Sequence, residues 1–273
     1  MNNGYLCKQH QPTESMNICL IGAGNLATHL GRALHKAGHC ICQVYSRTSA
    51  SAEVLAQKLN SQPIYQLSAL RNDADIYIVA LKDDVLHQLL PQLCRHRSTQ
   101  LFVHTAGSIP MDVFRQFTQT YGVIYPLQTF SKQRAVSFRH IPCLIEGSSE
   151  IVCNVLNTLC RSISDDVREV NSADRQYIHL AAVFGCNFTN LCYTLAGEIL
   201  KRRKLPFELL LPLIDETAAK VHMMTPAAAQ TGPAVRFDEQ IMNRQLELLG
   251  NDDCLKDIYK MLSQQIHCLS TRP

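Results

Sequence analysis

Two histidines occupy positions from which they could transfer protons. His104 ends a short apolar run, and His179 lies within a long apolar segment that has helical spacing. The ordinary pKa of a histidine lies close to neutral pH, which suits general acid–base chemistry. For His104 the alternative is a structural role, in which the imidazole is hydrogen-bonded to backbone at the end of a strand.

Polar side chains that follow another apolar run could orient a substrate. Gln128 and Lys132 belong to a dense polar cluster directly after residues 122–125. The amide of Gln128 suits orientation by hydrogen bonds better than proton transfer. The amine of Lys132 could bind a substrate carboxylate, or it could simply be solvated.

One face of the predicted long helix carries several polar residues. At about 100° per residue, five positions share a sector of about 120°: Arg175, His179, Val183, Asn187 and Asn190. Polar groups inside an apolar helix cost free energy unless they are paired. We therefore expect this face to line a cleft in which Asn187 orients a substrate. The alternative is a buried network that holds domains or subunits together.

A glycine-rich turn lies between the first apolar run and an amphipathic helix. Residues 22–27 read GAGNLA, the G-x-G-x-x-A pattern of dinucleotide-binding turns. Gly22 permits the tight turn, Gly24 lets a pyrophosphate approach the backbone, and the small Ala27 lets the helix pack closely. Because the N–H groups and dipole of a helix start attract phosphates, Asn25 and Leu26 are expected to border the cofactor as well.

The residues after the second strand indicate which dinucleotide binds. An NAD site has an Asp or Glu about 20 residues beyond the glycines, to bind the ribose 2′-hydroxyl. This chain has Ser46, Arg47 and Thr48 there, and no acid before Glu53. An arginine can pair with a 2′-phosphate, and hydroxyls can donate to it. We therefore expect NADP rather than NAD; the alternative is that Arg47 is a solvated turn residue.

Two further strands are expected to end beside the same cofactor. Ligands of open parallel sheets bind beyond the carboxyl ends of the strands. The predicted cofactor contacts at these ends are Ala80, Leu81, Lys82, His104, Thr105 and Ala106.

The elements that position these residues divide the chain into two parts. Strands alternate with helices as far as Val170, which predicts an α/β fold with a doubly wound, mostly parallel sheet over residues 16–170. Residues 171–273 contain no convincing strand and are expected to form an all-α domain. Residues 1–15 are polar and aperiodic, and are expected to form a disordered N-terminal tail. The long helix is apolar nearly all round, so its burial is expected to need a second subunit, as in a homodimer through the helical domain.

The composition argues against several classes of protein. The 273 residues carry a formal net charge of only +3, so neither nucleic acid nor a membrane is an expected partner. The 12 cysteines are scattered, without a C-x-x-C pair or zinc-like spacing. We therefore expect reduced thiols in a cytoplasmic protein, and no metal site.

Four stretches resemble a known two-domain family. They are residues 22–27, 104–108, 125–132 (YPLQTFSK) and 230–238 (QTGPAVRFD). They are similar to proteins in which a Rossmann-like domain is followed by DUF2520, distant relatives of 6-phosphogluconate dehydrogenase and pyrroline-5-carboxylate reductase. The resemblance implies a Rossmann-like NADP-binding domain, a helical domain for substrate binding and dimerisation, and a site in the cleft between domains.

The chain departs from these related dehydrogenases on the long helix. They carry a lysine and an asparagine one turn apart, and an approximate alignment places the asparagine at Asn187 and the lysine near Val183. The lysine is therefore missing. His179, one turn earlier, is the nearest titratable substitute.

These features predict an NADP-dependent oxidoreductase that transfers hydride to or from a small carbonyl or imine compound. His179 or His104 would handle the proton, while Asn187 and Gln128 would orient the substrate. The missing lysine instead favours a catalytically silent dinucleotide sensor or scaffold. A third interpretation is an oxidoreductase that uses the coenzyme F420.

Overall fold

The computed structural model describes residues 14–272. The chain divides into two compact units, the first ending at Val183 and the second beginning at Phe184. Most of the predicted N-terminal tail lies outside the described residues. Ser15, which belongs to that prediction, donates a hydrogen bond from Oγ to Gly38 O (2.9 Å).

The first unit is built on one eight-stranded sheet. Its strands lie in the order β3-β2-β1-β4-β5-β6-β7-β8, and all neighbouring pairs are parallel except β6 with β7. The predicted α/β class with a doubly wound, mostly parallel sheet is confirmed. The strands are β1 (Asn17–Ile21), β2 (Cys40–Tyr45), β3 (Gln62–Ile64), β4 (Ile76–Val79), β5 (Leu101–His104), β6 (Thr120–Pro126), β7 (Cys143–Gly147) and β8 (Val167–Glu169).

Helices cover both faces of this sheet. On one face lie α1 (Asn25–Lys36), α2 (Ser49–Leu59) and α4 (Glu150–Arg161). On the other lies α3 (Asp83–Leu93), and short 3-10 turns replace helices in several connections. The strand order reverses at β1, which has β2 on one side and β4 on the other. Ligands of open α/β sheets bind at such a switch point.

Strand β1 shows why the buried strands read as continuous apolar runs. Successive side chains of a strand point to opposite faces. Ile18 and Leu20 pack in the core under α1 and α2, while Cys19 and Ile21 pack in the core on the opposite face. Because both faces are covered, alternation between apolar and polar residues is absent.

Helix α5 (Ser172–Ala182) belongs to the first unit because its first turn is bound to the sheet. The fully buried guanidinium of Arg175 pairs with Glu146, and its Nη2 donates to Ile109 O (2.7 Å). Ser172 Oγ donates to the same carboxylate (2.7 Å). The helical domain was predicted to begin at Asn171, whereas the compact units divide later, after Val183.

The second unit is helical throughout its regular structure. It begins within a π-helical segment, Val183–Phe188, whose first residue belongs to the first unit, and this segment leads into α6 (Thr189–Lys201). The remaining helices are α7 (Leu211–Met223), α8 (Pro226–Ala229), α9 (Glu239–Leu248) and α10 (Asp253–Ser270). Within residues 14–272, no helix has both the length and the apolar character needed to cross a membrane.

The helices of the second unit bury little surface within one chain. No residue of α6, α7 or α9 is buried. Large apolar side chains stay exposed, including Phe184, Phe188, Leu191, Leu213 and Leu248. The long helix was predicted to be buried on most sides, and within a single chain it is not.

Candidate functional site

Gly22 makes the turn between β1 and α1 possible. Its φ is +122°, a conformation that side chains rarely adopt, and a Cβ at this position would lie 2.3 Å from Ala80 O. Its N–H donates to Tyr45 O (2.8 Å). The glycine therefore lets the carboxyl ends of β1, β2 and β4 meet closely.

The start of α1 has the features that a pyrophosphate requires. Gly24 precedes the helix, is exposed, and has open space where a Cβ would stand. No side chain caps the helix start, and its first turn contains no acid. The N–H groups of the first turn are therefore available to an anion. Ala27 is fully buried and Leu26 partly buried, so they pack the helix, as predicted for Ala27.

Asn25 makes a contact that the sequence does not reveal. Its Nδ2 donates to Phe130 O (2.9 Å), and His29 Nε2 donates to Ser131 O (2.9 Å). The segment after β6 is therefore fastened along the first two turns of α1. The side chain of Asn25 is engaged by this segment, which leaves its backbone N–H to face a phosphate.

The turn after β2 presents a free guanidinium. Arg47 is exposed, and none of the described residues forms an ion pair with it. Ser46 Oγ accepts from the Thr48 N–H (3.2 Å), which closes the turn, and the Ser46 N–H donates to Ile64 O (3.2 Å). This arrangement suits a phosphate on the ribose of a bound dinucleotide.

The loops after β4 and β5 are tied to their neighbours by backbone bonds. The Ala80 N–H donates to Ile21 O (2.8 Å), and the Thr105 N–H donates to Val79 O (3.2 Å). Leu81 and Ala106 are partly buried, and Lys82 is exposed just before α3. All these residues lie at the sheet edge where the glycine turn lies.

His104 is a structural residue, which corrects its prediction as a catalytic one. It is fully buried; Nδ1 accepts from the Ala106 N–H (3.2 Å), so Nε2 carries the proton and donates to Pro110 O (3.4 Å). Burial, reinforced by the nearby Arg175 cation, lowers the pKa of His104 to about 3. The ring is neutral near pH 7 and both nitrogens are engaged, so it has no free group for proton transfer.

His179 has the properties that His104 lacks. It is half-buried, and its Nδ1 is hydrogen-bonded to Tyr125 Oη (2.9 Å), with the two rings edge to face. Gly107 lies against both rings, because a Cβ there would stand 2.7 Å from His179 Nδ1 and 2.9 Å from the Tyr125 ring. One ring nitrogen is therefore held in place, while Nε2 has no partner among the described residues.

A second layer of contacts fixes the loop that carries Gly107. Gln176 Nε2 donates to Ser108 O (2.8 Å), and Ser108 Oγ donates to the Asp83 carboxylate.

Burial raises the pKa of Tyr125, and the charge of Arg175 opposes that rise. At neutral pH Tyr125 is therefore a protonated hydroxyl beside His179.

The structure does not bring Gln128 and Lys132 to this pair. Gln128 is exposed, and its Oε1 accepts from the adjacent Thr129 N–H (2.8 Å). Lys132 borders a cavity of about 290 Å³ between α1 and α2, with Arg32 and Lys58 among its neighbours. Because the segment is fastened to α1, Lys132 lies on the α1 side of the sheet, and its predicted contact with a substrate carboxylate is not supported.

Asn187 lies in the π-helical segment of the second unit and is exposed. A π-helix has more residues per turn than an α-helix. The regular spacing that placed Asn187 and Asn190 in one sector with His179 therefore does not hold beyond Val183. The substrate-orienting role of Asn187 stays a prediction.

Tyr125 and Gly107 make contacts with His179 that the sequence did not predict. Tyr125 begins the YPLQTFSK stretch, and a tyrosine at the end of a strand is a recognisable signal. Its partner is 54 positions away, however, and neither residue type specifies that contact. From the sequence, Gly107 was expected either to let the backbone approach a nicotinamide or substrate or simply to form the turn; its tight contact with two rings is visible only in three dimensions.

Two family models match the sequence. A Rossmann-like domain matches residues 6–129, and DUF2520, a domain of unknown function, matches residues 141–266. No curated protein matches the chain significantly.

Solved structures extend the comparison over nearly the whole chain. A proposed NADP oxidoreductase from Bacteroides fragilis is 48% identical, with a TM-score of 0.90, over 93% of this chain and 99% of that one. A protein from Thermotoga maritima is 20% identical, with a TM-score of 0.69, over 93% and 98%. An imine reductase from Myxococcus stipitatus in complex with NADP⁺ is 17% identical, with a TM-score of 0.63, over 93% and 92%. The last two likenesses show the fold alone.

Three of the four stretches that suggested the family lie wholly within the matches, and residues 125–129 of the fourth do as well. The glycine turn and the residues after β5 fall within the Rossmann-like match, and residues 230–238 fall within the DUF2520 match. The chain therefore belongs to the two-domain family in which a Rossmann-like domain is followed by DUF2520.

Proposed function

We propose that the protein is an NADP-dependent oxidoreductase that transfers hydride between the nicotinamide and a small carbonyl or imine compound. The observation that carries the proposal is the hydrogen bond between Tyr125 and His179 beside Gly107. Tyr125 lies near the carboxyl end of β6, at the same edge of the sheet as the glycine turn after β1. The proposed dinucleotide site and His179, whose Nε2 has no partner among the described residues, would therefore both lie at the carboxyl ends of the strands.

The dinucleotide would be held by groups whose donor hydrogens have no acceptor among the described residues. The N–H groups at the start of α1 would bind the pyrophosphate, and the space beside Gly24 would admit it. Arg47 would pair with the 2′-phosphate, with Ser46 and Thr48 donating hydrogen bonds. The loops after β4 and β5 would border the nicotinamide half, as expected for a Rossmann-like sheet.

His179 would handle the proton of the reaction. Bound NADPH supplies the hydride. The imidazolium of His179 would donate from Nε2 to the carbonyl oxygen or imine nitrogen, because Nδ1 is engaged by Tyr125. Tyr125 would act as a positioning residue that fixes the ring orientation. Asn187 is the predicted residue for orienting the substrate, since Gln128 is not brought to this ring pair.

The comparisons support the cofactor more strongly than the substrate. The Bacteroides fragilis protein, described as a proposed NADP oxidoreductase, shares nearly half of its residues with this chain. The Myxococcus stipitatus imine reductase shares only the fold, so it indicates that such a fold accommodates imine reduction. A catalytically silent dinucleotide sensor is the second candidate, favoured by Val183 at the position near which related dehydrogenases carry a lysine.

A turnover screen distinguishes these two functions. NADPH oxidation would be followed with small keto acids, aldehydes and cyclic imines. We expect turnover of at least one class, and a loss of about 10²–10⁴-fold in kcat for His179→Ala, as for removal of a general acid. Tyr125→Phe should lower kcat less than His179→Ala does, because the ring loses only its orienting hydrogen bond.

Tyr121→Phe provides the matched control for the screen. Tyr121 lies in the same strand as Tyr125, but its hydroxyl contacts only Asp112 among the described residues (3.5 Å). This variant should retain full activity. Tight NADPH binding without turnover of any substrate would favour the sensor, whereas no binding of NADPH would contradict both functions.

The second unit is also part of the proposal, as the contact between two copies of the chain. Its exposed apolar side chains include Phe184, Phe188 and Leu191 around the start of α6. Exposed apolar surface of this kind is typical of an interface. A homodimer through the helical unit would bury it.

A further inference from the structure

Two thiols lie together at the amino-terminal end of strand β2, whereas the glycine turn lies at the carboxyl ends of the strands. Cys40 is exposed, Cys42 is partly exposed, and their Sγ atoms are 3.6 Å apart. Cys40 begins β2, whereas Tyr45, at the other end of the strand, contacts Gly22. The pair is therefore separate from the proposed active site.

An irregularity in the sheet brings these two thiols together. The β1–β2 register passes from Ile18 opposite Ile41 to Cys19 opposite Gln43, so Cys42 is an extra residue without a partner on β1. In a regular strand, alternate residues lie about 6–7 Å apart along the chain direction. A bulge re-aims a side chain, and here Cys42 Sγ turns towards Cys40 and donates to Asn17 Oδ1 (3.5 Å).

We propose that Cys40 and Cys42 form a reversible disulfide when the protein meets a peroxide. The Cys40 thiolate attacks one peroxide oxygen, the O–O bond breaks, and hydroxide leaves and is protonated to water. This gives a sulfenic acid on Cys40. The Cys42 thiolate, having released its proton to solvent, then attacks that sulfur; the S–S bond forms and a second water leaves. Two thiols are oxidised by two electrons, and the peroxide is reduced to two waters.

The order of the two steps follows from the surroundings of each thiol. Cys40 is the more exposed of the two. Burial and the hydrogen bond to Cys40 raise the pKa of Cys42, so it keeps its proton longer. Redox-sensitive sites typically combine an accessible thiol with a neighbouring resolving thiol. Cys40 is thus the attacking thiol and Cys42 the resolving one.

Other cysteines of the chain have either an exposed thiol or a neighbouring thiol, but not both. Cys143 and Cys160 hydrogen-bond to each other but are buried, so a peroxide does not reach them. Cys254 and Cys268 are exposed but have no thiol within hydrogen-bond distance among the described residues. These two sets serve as internal controls in the same protein.

Peptide mass spectrometry tests the proposal directly. Trypsin releases residues 37–47 (AGHCICQVYSR), which contain Cys40 and Cys42 and no other cysteine. After treatment of the reduced, folded protein with hydrogen peroxide, this peptide should lose the mass of two hydrogens and escape alkylation. We expect this peptide to be oxidised at least about tenfold faster than Cys254 or Cys268 becomes resistant to the alkylating reagent. Dithiothreitol should reverse the oxidation.

Single variants separate the two steps of the reaction. In Cys42→Ser, Cys40 should stop at the sulfenic acid and be trapped by dimedone. In Cys40→Ser, oxidation of Cys42 should be slower than that of Cys40 in Cys42→Ser. The proposal is overturned if Cys40 and Cys42 are both still reduced, and therefore still react with the alkylating reagent, after Cys254 has been oxidised. It is also overturned if the oxidised peptide is found linked to another peptide, such as the one that carries Cys7.

Discussion

Arg47 is the residue on which the proposed cofactor preference depends most directly. The guanidinium is exposed in the turn after β2, and no acid within the described residues neutralises it. Guanidinium groups bind phosphate through paired hydrogen bonds, which a ribose hydroxyl does not replace. The 2′-phosphate is the group that distinguishes NADPH from NADH, so the contribution of Arg47 should appear with one cofactor and not with the other.

Isothermal titration of Arg47→Ala measures this contribution. Hydrogen bonds to charged groups contribute about 1.5–3 kcal/mol, so the variant should bind NADPH about 10–100-fold more weakly. Its affinity for NADH should be nearly unchanged. Arg168→Ala, which removes an exposed arginine from β8, is the control and should leave both affinities unchanged. Equal affinity of the natural chain for the two cofactors would contradict the assignment.

The two histidines show what residue type alone predicts about a site. Both were candidates for proton transfer because their ordinary pKa values are similar. The structure separates them through burial: His104 is enclosed and bonded at both nitrogens, whereas His179 is bonded at one. The glycine turn, by contrast, was predictable, since its chemistry is local and its residues are adjacent. The contacts of Tyr125 and Gly107 with His179 were not predictable, because they join distant parts of the chain.

At the scale of elements, the buried ion pair between Arg175 and Glu146 holds α5 against the sheet. The arginine side chain is fully buried and the glutamate side chain is 15% exposed. Removing one partner of such a pair leaves the other charge without compensation. Because His179 lies one turn after Arg175 on α5, the same ion pair also sets the position of the proposed proton donor.

Chemical unfolding should reveal the asymmetry of this pair. Arg175→Met and Glu146→Gln are each expected to lower the free energy of unfolding by about 3–5 kcal/mol. The double variant should lose less than the sum, because neither charge is then left alone. The exposed pair of Arg168 and Asp166 is the control, and Arg168→Met should cost no more than about 1 kcal/mol. Additive losses at the buried pair would show that the two residues do not depend on each other.

Most elements were predictable because hydrophobic periodicity records burial. Strands were predicted to alternate with helices as far as Val170, and the last strand of the sheet, β8, ends at Glu169. The π-helical segment Val183–Phe188 was not predicted. The constant angle per residue on which the predicted sector of Asn187 rests does not apply within it. A pattern based on a constant angle per residue fails where the helix geometry itself changes.

At the scale of the whole molecule, the second unit exposes large apolar side chains that the proposed homodimer would cover. Leu191 is 47% exposed on α6, near the exposed Phe184 and Phe188 of the preceding segment. The homodimer was expected from the sequence because an apolar helix is stable in water only when it is covered. The helical domain was predicted to begin at residue 171, whereas the compact units divide after Val183, beyond Arg175, whose side chain reaches a strand 29 positions away.

Light scattering tests the proposed homodimer. The natural chain is expected to have about twice the monomer mass of 30.6 kDa. Leu191→Glu should shift the protein towards the monomer, because a charge would be buried in the interface. Ile151→Glu is the matched control: Ile151 is 77% exposed on α4 in the first unit, and its substitution should leave the mass unchanged. A monomeric natural chain at micromolar concentration would contradict the proposal.

Gly107 has a consequence for how proteins of this family can be compared. The volume that its missing side chain leaves is occupied by the rings of His179 and Tyr125. A chain that evolved any larger residue at this place would have to separate the two rings. A glycine at the position of Gly107, three residues after β5, therefore indicates in a sequence that the rings of His179 and Tyr125 are in contact. Where it is retained, the ring pair is expected to persist; where it is lost, a different proton donor should be sought.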